Sequence, residues 1–347
     1  MKRYFLFAFF LLLLLNESPA QIKGIWTQKA DFGGSDRKGA VGFSIGAKGY
    51  IGTGREDSTL CKDFWEYDTL SNSWTQKADF GGTARMKAVG FSIGRKGYIG
   101  TGGDTSAACV QKDFWEWDQA SNTWTRKADL KGTARLMAVG FVIAGKGYIG
   151  TGMDSTGFTR DLWEYDPISN SWIRKADLPG VPRYGAAGFS IDTKGFIGTG
   201  ISNRSTYLRD FWEWDPPTNT WTQKANFAGK PRNEAIGLTI ENAGYIGLGT
   251  LMMGSGTMSD FWRYNPKVDK WFQVASFGGG VRELVAGFSI GHKGYAGTGW
   301  IDDHGASRDF WEFDSHRPPP TDTTNEGFRQ TFPIDKKIYK VTKKKKK

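Results

Sequence analysis

Histidine is scarce in this chain of 347 residues, occurring only as His292, His304 and His316, and cysteine occurs only as Cys61 and Cys109. No Cys-x-x-Cys, His-Glu-x-x-His or phosphate-loop pattern is present. The common zinc, dithiol and nucleotide chemistries therefore have no sequence support, and neither a metal nor a cofactor is expected. Long apolar runs are also lacking. The longest, Phe5–Leu15, falls short of the roughly 20 residues that a membrane-spanning helix needs. Between residues 21 and 314 no apolar pattern of period 3.6 is found, which argues against a helical body.

Charge of one sign is missing from the body as well. The net charge is +10 overall. Outside residues 21–314, however, lie twelve basic residues (Lys2, Arg3, Arg317, Arg329 and eight Lys between Lys336 and Lys347) and four acidic ones, so the body carries only +2. Such a body lacks the basic face that phosphate backbones require, and no nucleic acid is expected as a partner.

Residues 1–20 read as a secretory signal peptide. Lys2 and Arg3 precede the apolar run, and Ser18 and Ala20 supply the small residues of a cleavage site after Ala20. The expected location is secreted or periplasmic, with no transmembrane segment after cleavage. In an oxidising compartment Cys61 and Cys109 could pair, since each precedes an Asp-Phe-Trp motif in neighbouring repeats. Spacing alone leaves that disulfide open.

What is abundant is glycine, at 47 residues, and aromatic side chains, at 15%. They recur in register. The Trp of Trp-Thr-Gln-Lys-Ala-Asp-Phe returns at Trp26, Trp74, Trp124, Trp172, Trp221 and Trp271, and that of Asp-Phe-Trp-Glu-Tyr-Asp at Trp65, Trp115, Trp163, Trp212, Trp262 and Trp311. A period near fifty residues, six times over, marks a repeat architecture. In the second unit four short runs, Ala88–Ile93, Gly97–Thr101, Phe114–Asp118 and Trp124–Lys127, read as strands separated by Gly and Asn/Asp turns. The first alternates small residues (Ala88, Gly90, Ser92) with large ones (Val89, Phe91, Ile93), which suits sheets stacked face to face around an axis.

The pattern Arg-x-x-Ala, Gly-Tyr-Ile-Gly-Thr-Gly, Trp-Glu-Tyr-Asp and Asn-x-Trp resembles the kelch repeat over residues 26–314. The resemblance implies an all-β, six-bladed β-propeller with four antiparallel strands per blade. The body begins with a lone fourth strand at Trp26–Lys29 and ends on a third strand at Phe310–Asp314. The N-terminal strand is therefore expected to close the last blade, protecting both edges. Three regions follow: signal peptide 1–20, propeller 21–314, and a Pro/Thr linker with a Lys-rich tail over 315–347. The tail reads as solvated and disordered, with adhesion to anionic surfaces as its functional alternative.

Candidate site residues fall into two sets. Arg37, Arg85, Arg135, Arg183, Arg232 and Arg282 precede the first strands and are expected to encircle one mouth of the channel, while Asp63, Asp113, Asp161, Asp210, Asp260 and Asp309 open the third strands. These rings read either as structural salt bridges or as an anion site. The second set breaks the symmetry: Trp300, Asp302, Asp303 and His304 in blade six, Arg55, Glu56 and Asp57 in blade one, Arg204 in blade four, and Tyr184, Asn233, Glu234 and Glu283 near the mouth. A Trp face beside carboxylates and an imidazole suits a sugar.

The expected function is a non-catalytic binding module, a monomer, whose loop face takes a glycan or a protein. The alternative is an enzyme similar to the sialic acid mutarotases. That resemblance implies an acidic residue, Glu234 or Glu283, as general base, with a ring Arg holding an anionic group. Copper oxidases resembling galactose oxidase share kelch-type blades, but their set of two His and two Tyr, one Tyr cross-linked to Cys, has no match here.

Overall fold

The structure, a computed structural model, describes residues 23–318 except 106–108, 204–205 and 253–254. The expected signal peptide at residues 1–20, nearly all of the tail and Arg204 lie outside the described residues. Among those described there is no helix. Six four-stranded antiparallel sheets form the blades of a β-propeller.

Blade one comprises Val41–Ile45, Lys48–Gly52, Phe64–Asp68 and Ser73–Lys77, from axis to rim. Blade two comprises Val89–Ile93, Lys96–Gly100, Phe114–Asp118 and Thr123–Lys127, each within one residue of its sequence-predicted start. Blades three, four and five begin at Val139–Ile143, Ala187–Ile191 and Ile236–Ile240. Blade six takes Ala286–Ile290, Lys293–Gly297 and Phe310–Asp314 from the end of the body and Ile25–Gln28 from its start. The closing pairs run from Ile25 opposite Asp314 to Gln28 opposite Trp311.

The alternation of small and large residues explains the stacking. The Phe43 ring of blade one lies against Gly97 of blade two, and Phe91 of blade two against Gly147 of blade three. A Cβ at Gly97 would stand 2.4 Å from Phe43 Cζ, so this face admits only glycine without repacking. Blade contacts are thereby fixed by sequence.

The rim tryptophans clamp neighbouring blades. Trp74, Trp124, Trp172, Trp221 and Trp271 donate their indole N–H groups to Ala30, Ala78, Ala128, Ala176 and Ala225, on the links that enter their blades. Asn72, Asn122, Asn170, Asn219 and Asp269 accept from the amides of the same alanines. All five acceptors sit at positive φ, a conformation Asn and Asp tolerate better than most residues. At the closure Trp26 donates to Ala275 at 3.1 Å, Gly24 takes the left-handed position, and the Lys23 carbonyl replaces the missing side-chain acceptor at 2.7 Å.

Among the described residues short two-stranded hairpins connect second to third strands in five blades, as at Arg55–Glu56 with Thr59–Leu60 and Trp300–Ile301 with Gly305–Ala306. The sequence reading treats these as loops, because runs of two or three residues carry no measurable period. Cys61 and Cys109 are free thiols rather than a disulfide. Cys61 sits half-buried behind its hairpin with Sγ 3.8 Å from the Thr59 carbonyl, while Cys109 is exposed.

Candidate functional site

The repeated arginines do not face the channel. Each is 0–1% exposed and is held inside its own blade by an aspartate in a two-pronged pair. Arg37 Nη1 and Nη2 meet Asp63 Oδ1 and Oδ2 at 2.6 and 2.8 Å; Arg232 meets Asp260 at 2.7 and 2.8 Å. The same guanidinium donates to the Thr53 carbonyl in blade one and to its counterparts elsewhere. The aspartate also accepts the indole N–H of the Trp two residues on. Burial alone would raise the carboxyls of Asp63, Asp161, Asp210, Asp260 and Asp309, but hydrogen bonds and charge from the arginines outweigh it and hold them low. With its charge matched and each guanidinium buried, this ring serves the blades rather than the channel mouth.

The mouth is built by the two residues that follow each arginine. The outer ring is Lys38, Met86, Leu136, Tyr184, Asn233 and Glu283, each paired through its backbone with the residue after the Gly-Thr-Gly segment: Arg55, Gly103, Met153, Ile201, Thr250 and Trp300. The inner ring is Gly39, Lys87, Met137, Gly185, Glu234 and Leu284, all at φ between 55° and 64°. Five backbone hydrogen bonds of 2.8–3.1 Å join it from blade to blade. Left-handed backbone at Lys87, Met137, Glu234 and Leu284 is costly for residues with a Cβ, and the belt of hydrogen bonds holds it. Below lies a cavity of about 180 Å³ lined by this ring and by Ala40, Ala88, Ala138, Ala186, Ala235 and Val285.

Because the scaffold is six-fold, the side chains at these positions are what distinguish one sector from another. Lys87 Nζ of blade two approaches Glu234 Oε1 of blade five at 3.4 Å, a pair that spans the mouth between opposite blades. Glu283, 9% exposed, is pushed up to about 7 by burial first, then by the charges of Glu234 and Asp302. Lys38 Nζ stands 3.5 Å above the Trp300 ring and makes no ion pair among the described residues. Its ammonium is pulled below the usual lysine range by burial, Arg55 and Lys87. Asn233 is fully buried, and neither end of its amide finds a hydrogen-bond partner among the described residues.

The sequence candidates separate accordingly. Trp300, Glu283, Glu234, Asn233, Tyr184 and Arg55 come together around the mouth. Tyr184 packs on Phe158 with tilted rings, centroids 4.8 Å apart, and burial and Glu234 raise its phenol. Asp302 joins through Thr257 of blade five, which donates Oγ1–H to Oδ2 at 2.7 Å. Asp303 and His304 point into solvent at the hairpin tip, as do Glu56 and Asp57. Lys38 and Lys87 were legible as departures from the repeat, yet a single lysine in a connection reads as ordinary surface.

No family model matches the chain, and no curated protein matches it. Among solved structures, that of YjhT superposes with a TM-score of 0.70 at 17% identity, covering 81% of this chain and 95% of that one. The likeness is one of fold.

Proposed function

We propose that this kelch-type propeller is an exported sugar-binding protein that holds its ligand over the channel mouth on the loop face. One observation carries the reading. Trp300, the only tryptophan in the connections between second and third strands, stands with Lys38 on its face and with Glu283 and Asp302 beside it. An indole face takes the C–H face of a pyranose, and the surrounding donors and acceptors take its hydroxyls. A sugar on the capped face displaces the Lys38 ammonium, which then serves as a hydroxyl donor at the ligand's edge.

The test is a thermal-shift and calorimetric screen of wild-type protein and Trp300→Ala against neutral sugars and sialic acid. Ligand at a hundred times its dissociation constant adds about 2.7 kcal/mol. The reading requires a hit that Trp300→Ala abolishes while its unliganded melting temperature stays unchanged. A hit that survives the substitution moves the site elsewhere. No hit at all transfers the proposal to a protein ligand.

A second reading, a mutarotase-like enzyme, is favoured by the Glu283 carboxyl near 7. A group poised there can take the anomeric O–H proton as carboxylate and, when protonated, deliver one to the ring oxygen. The bond between the anomeric carbon and the ring oxygen breaks, the freed carbonyl group rotates, and reclosure on its other face returns both protons. The ring arginines are buried and already paired with aspartates inside their blades, so Lys38 is the cation placed for that role. Anomer exchange followed by NMR, present in wild type and lost in Glu283→Gln with binding retained, distinguishes enzyme from binder.

A further inference from the structure

The outer ring divides into two arcs. From blade five round to blade one it is polar: Asn233, Glu283 and Lys38. From blade two to blade four it is apolar: Met86, Leu136 and Tyr184. The apolar arc is continuous. Met86 Cε lies over Gly39 of blade one, Leu136 Cδ2 lies over Gly103 of blade two, and Phe158 of blade three packs on Tyr184 of blade four. Met86, Leu136, Met153, Phe158 and Tyr184 all remain partly exposed. The backbone pairing that builds the ring demands no side chain of any kind, so the fold does not explain this arc. Among the described residues every methionine (Met86, Met137, Met153, Met252 and Met258) follows a ring arginine or lies in or just after a hairpin, and none lies in a blade sheet. Methionine suits an apolar surface that must adapt to what lands on it.

The two arcs face each other across the Lys87–Glu234 pair. A free monosaccharide on Trp300 uses only the polar one. We infer that the ligand is an amphipathic glycoside: a sugar ring seated on the Trp300 side, carrying an aryl or alkyl substituent that crosses the Lys87–Glu234 pair onto Met86 and Leu136. This rests on the sugar-site reading and adds the chemical class of the substituent. Binding sites commonly combine an apolar wall with a few placed polar groups, and a partly exposed contiguous apolar surface on a protein rimmed by charge is a recurrent sign of a ligand contact.

The test compares calorimetric binding of methyl hexosides with the phenyl glycosides of the same hexoses, to wild type, Trp300→Ala, and the double variant Met86→Ala/Leu136→Ala. The expected result is that phenyl tightens binding by about tenfold or more, consistent with burial of part of the ring. The double variant should lose that gain while binding the methyl glycoside as wild type does. Trp300→Ala should lose both. Equal affinity for methyl and phenyl glycosides overturns the inference and leaves the sugar site standing. So does a phenyl gain that the double variant retains. Failure of every glycoside to bind overturns the sugar site and this inference together. Circular dichroism and melting of the double variant establish that it is folded; if it is not, Leu136→Gln alone replaces it with the same expected loss of gain.

Discussion

Lys87 Nζ and Glu234 Oε1 lie 3.4 Å apart, although their blades stand on opposite sides of the ring. Both side chains rise from the left-handed inner belt, so the mouth is barred by a charge pair that no neighbouring-blade contact requires. Replacing both residues with neutral ones of similar length, singly and together, measures its worth. A double-mutant cycle in urea should give a favourable coupling of about 1 kcal/mol, between exposed and buried extremes, falling as salt is raised. Zero coupling at low salt would show that the bar does not contribute to stability.

Glu283 supplies a pH dependence of opposite sign to most native carboxylates. Its folded value, about 7, lies above the ordinary 4.5. Between these the folded state holds the proton more tightly than the unfolded state, so stability falls as pH rises from about 4.5 to 7 and stays reduced above that. Glu283→Gln should therefore raise the stability at pH 8 by something on the order of 2 kcal/mol, allowing for solvent screening, and change little at pH 4.5. Melting curves of both proteins at the two pH values check this, and a pH-independent difference would refute it.

The Arg–Asp pairs act in the other direction. Asp63, Asp161, Asp210, Asp260 and Asp309 are held below 3.8 once their arginines outweigh the burial that would raise them. Their contribution is complete above that value and is lost as pH falls through the folded one, which predicts cooperative acid unfolding below about pH 4. Removing one partner is more severe. Asp260→Ala leaves the Arg232 guanidinium buried and unanswered and should cost about 3–5 kcal/mol, read as a lower urea midpoint.

Asn233 is a test of whether stability has been given up for recognition. Its buried amide has no partner among the described residues, while blade three carries Leu136 at the same place. Asn233→Leu should stabilise the fold by about 1–3 kcal/mol and weaken sugar binding. A variant that is less stable would show that the amide is satisfied in solution.

The blades were legible because each states its plan six times: Gly97 against Phe43 and Gly147 against Phe91 are one contact repeated. The hairpins were not, since two-residue strands leave no period. For the site, departure from the repeat was the useful signal, and it found Trp300, Glu283, Glu234 and Asn233. It placed Asp303 and His304 beside them as well, because sequence does not tell the base of a hairpin from its tip. It also set the arginines at the mouth, where only the next two residues are. Direction of a side chain, into the blade toward Asp63 or over the channel, depends on a backbone turn at Gly39 and its equivalents that residue type alone does not announce.

Blade six is written at both ends of the chain, and this bears on how the protein comes to be folded. At about 5–20 residues per second of synthesis, roughly 15–60 s separate the emergence of Ile25–Gln28 from that of Phe310–Asp314. Five blades can stack as they appear, but the first strand made must wait for the last, with the Trp26 indole uncovered throughout. An incomplete chain is thus left with an open circle and two sticky edges. The ring closes only in a chain that includes its final blade, and truncation before Phe310 leaves Ile25–Gln28 without the strand it pairs with.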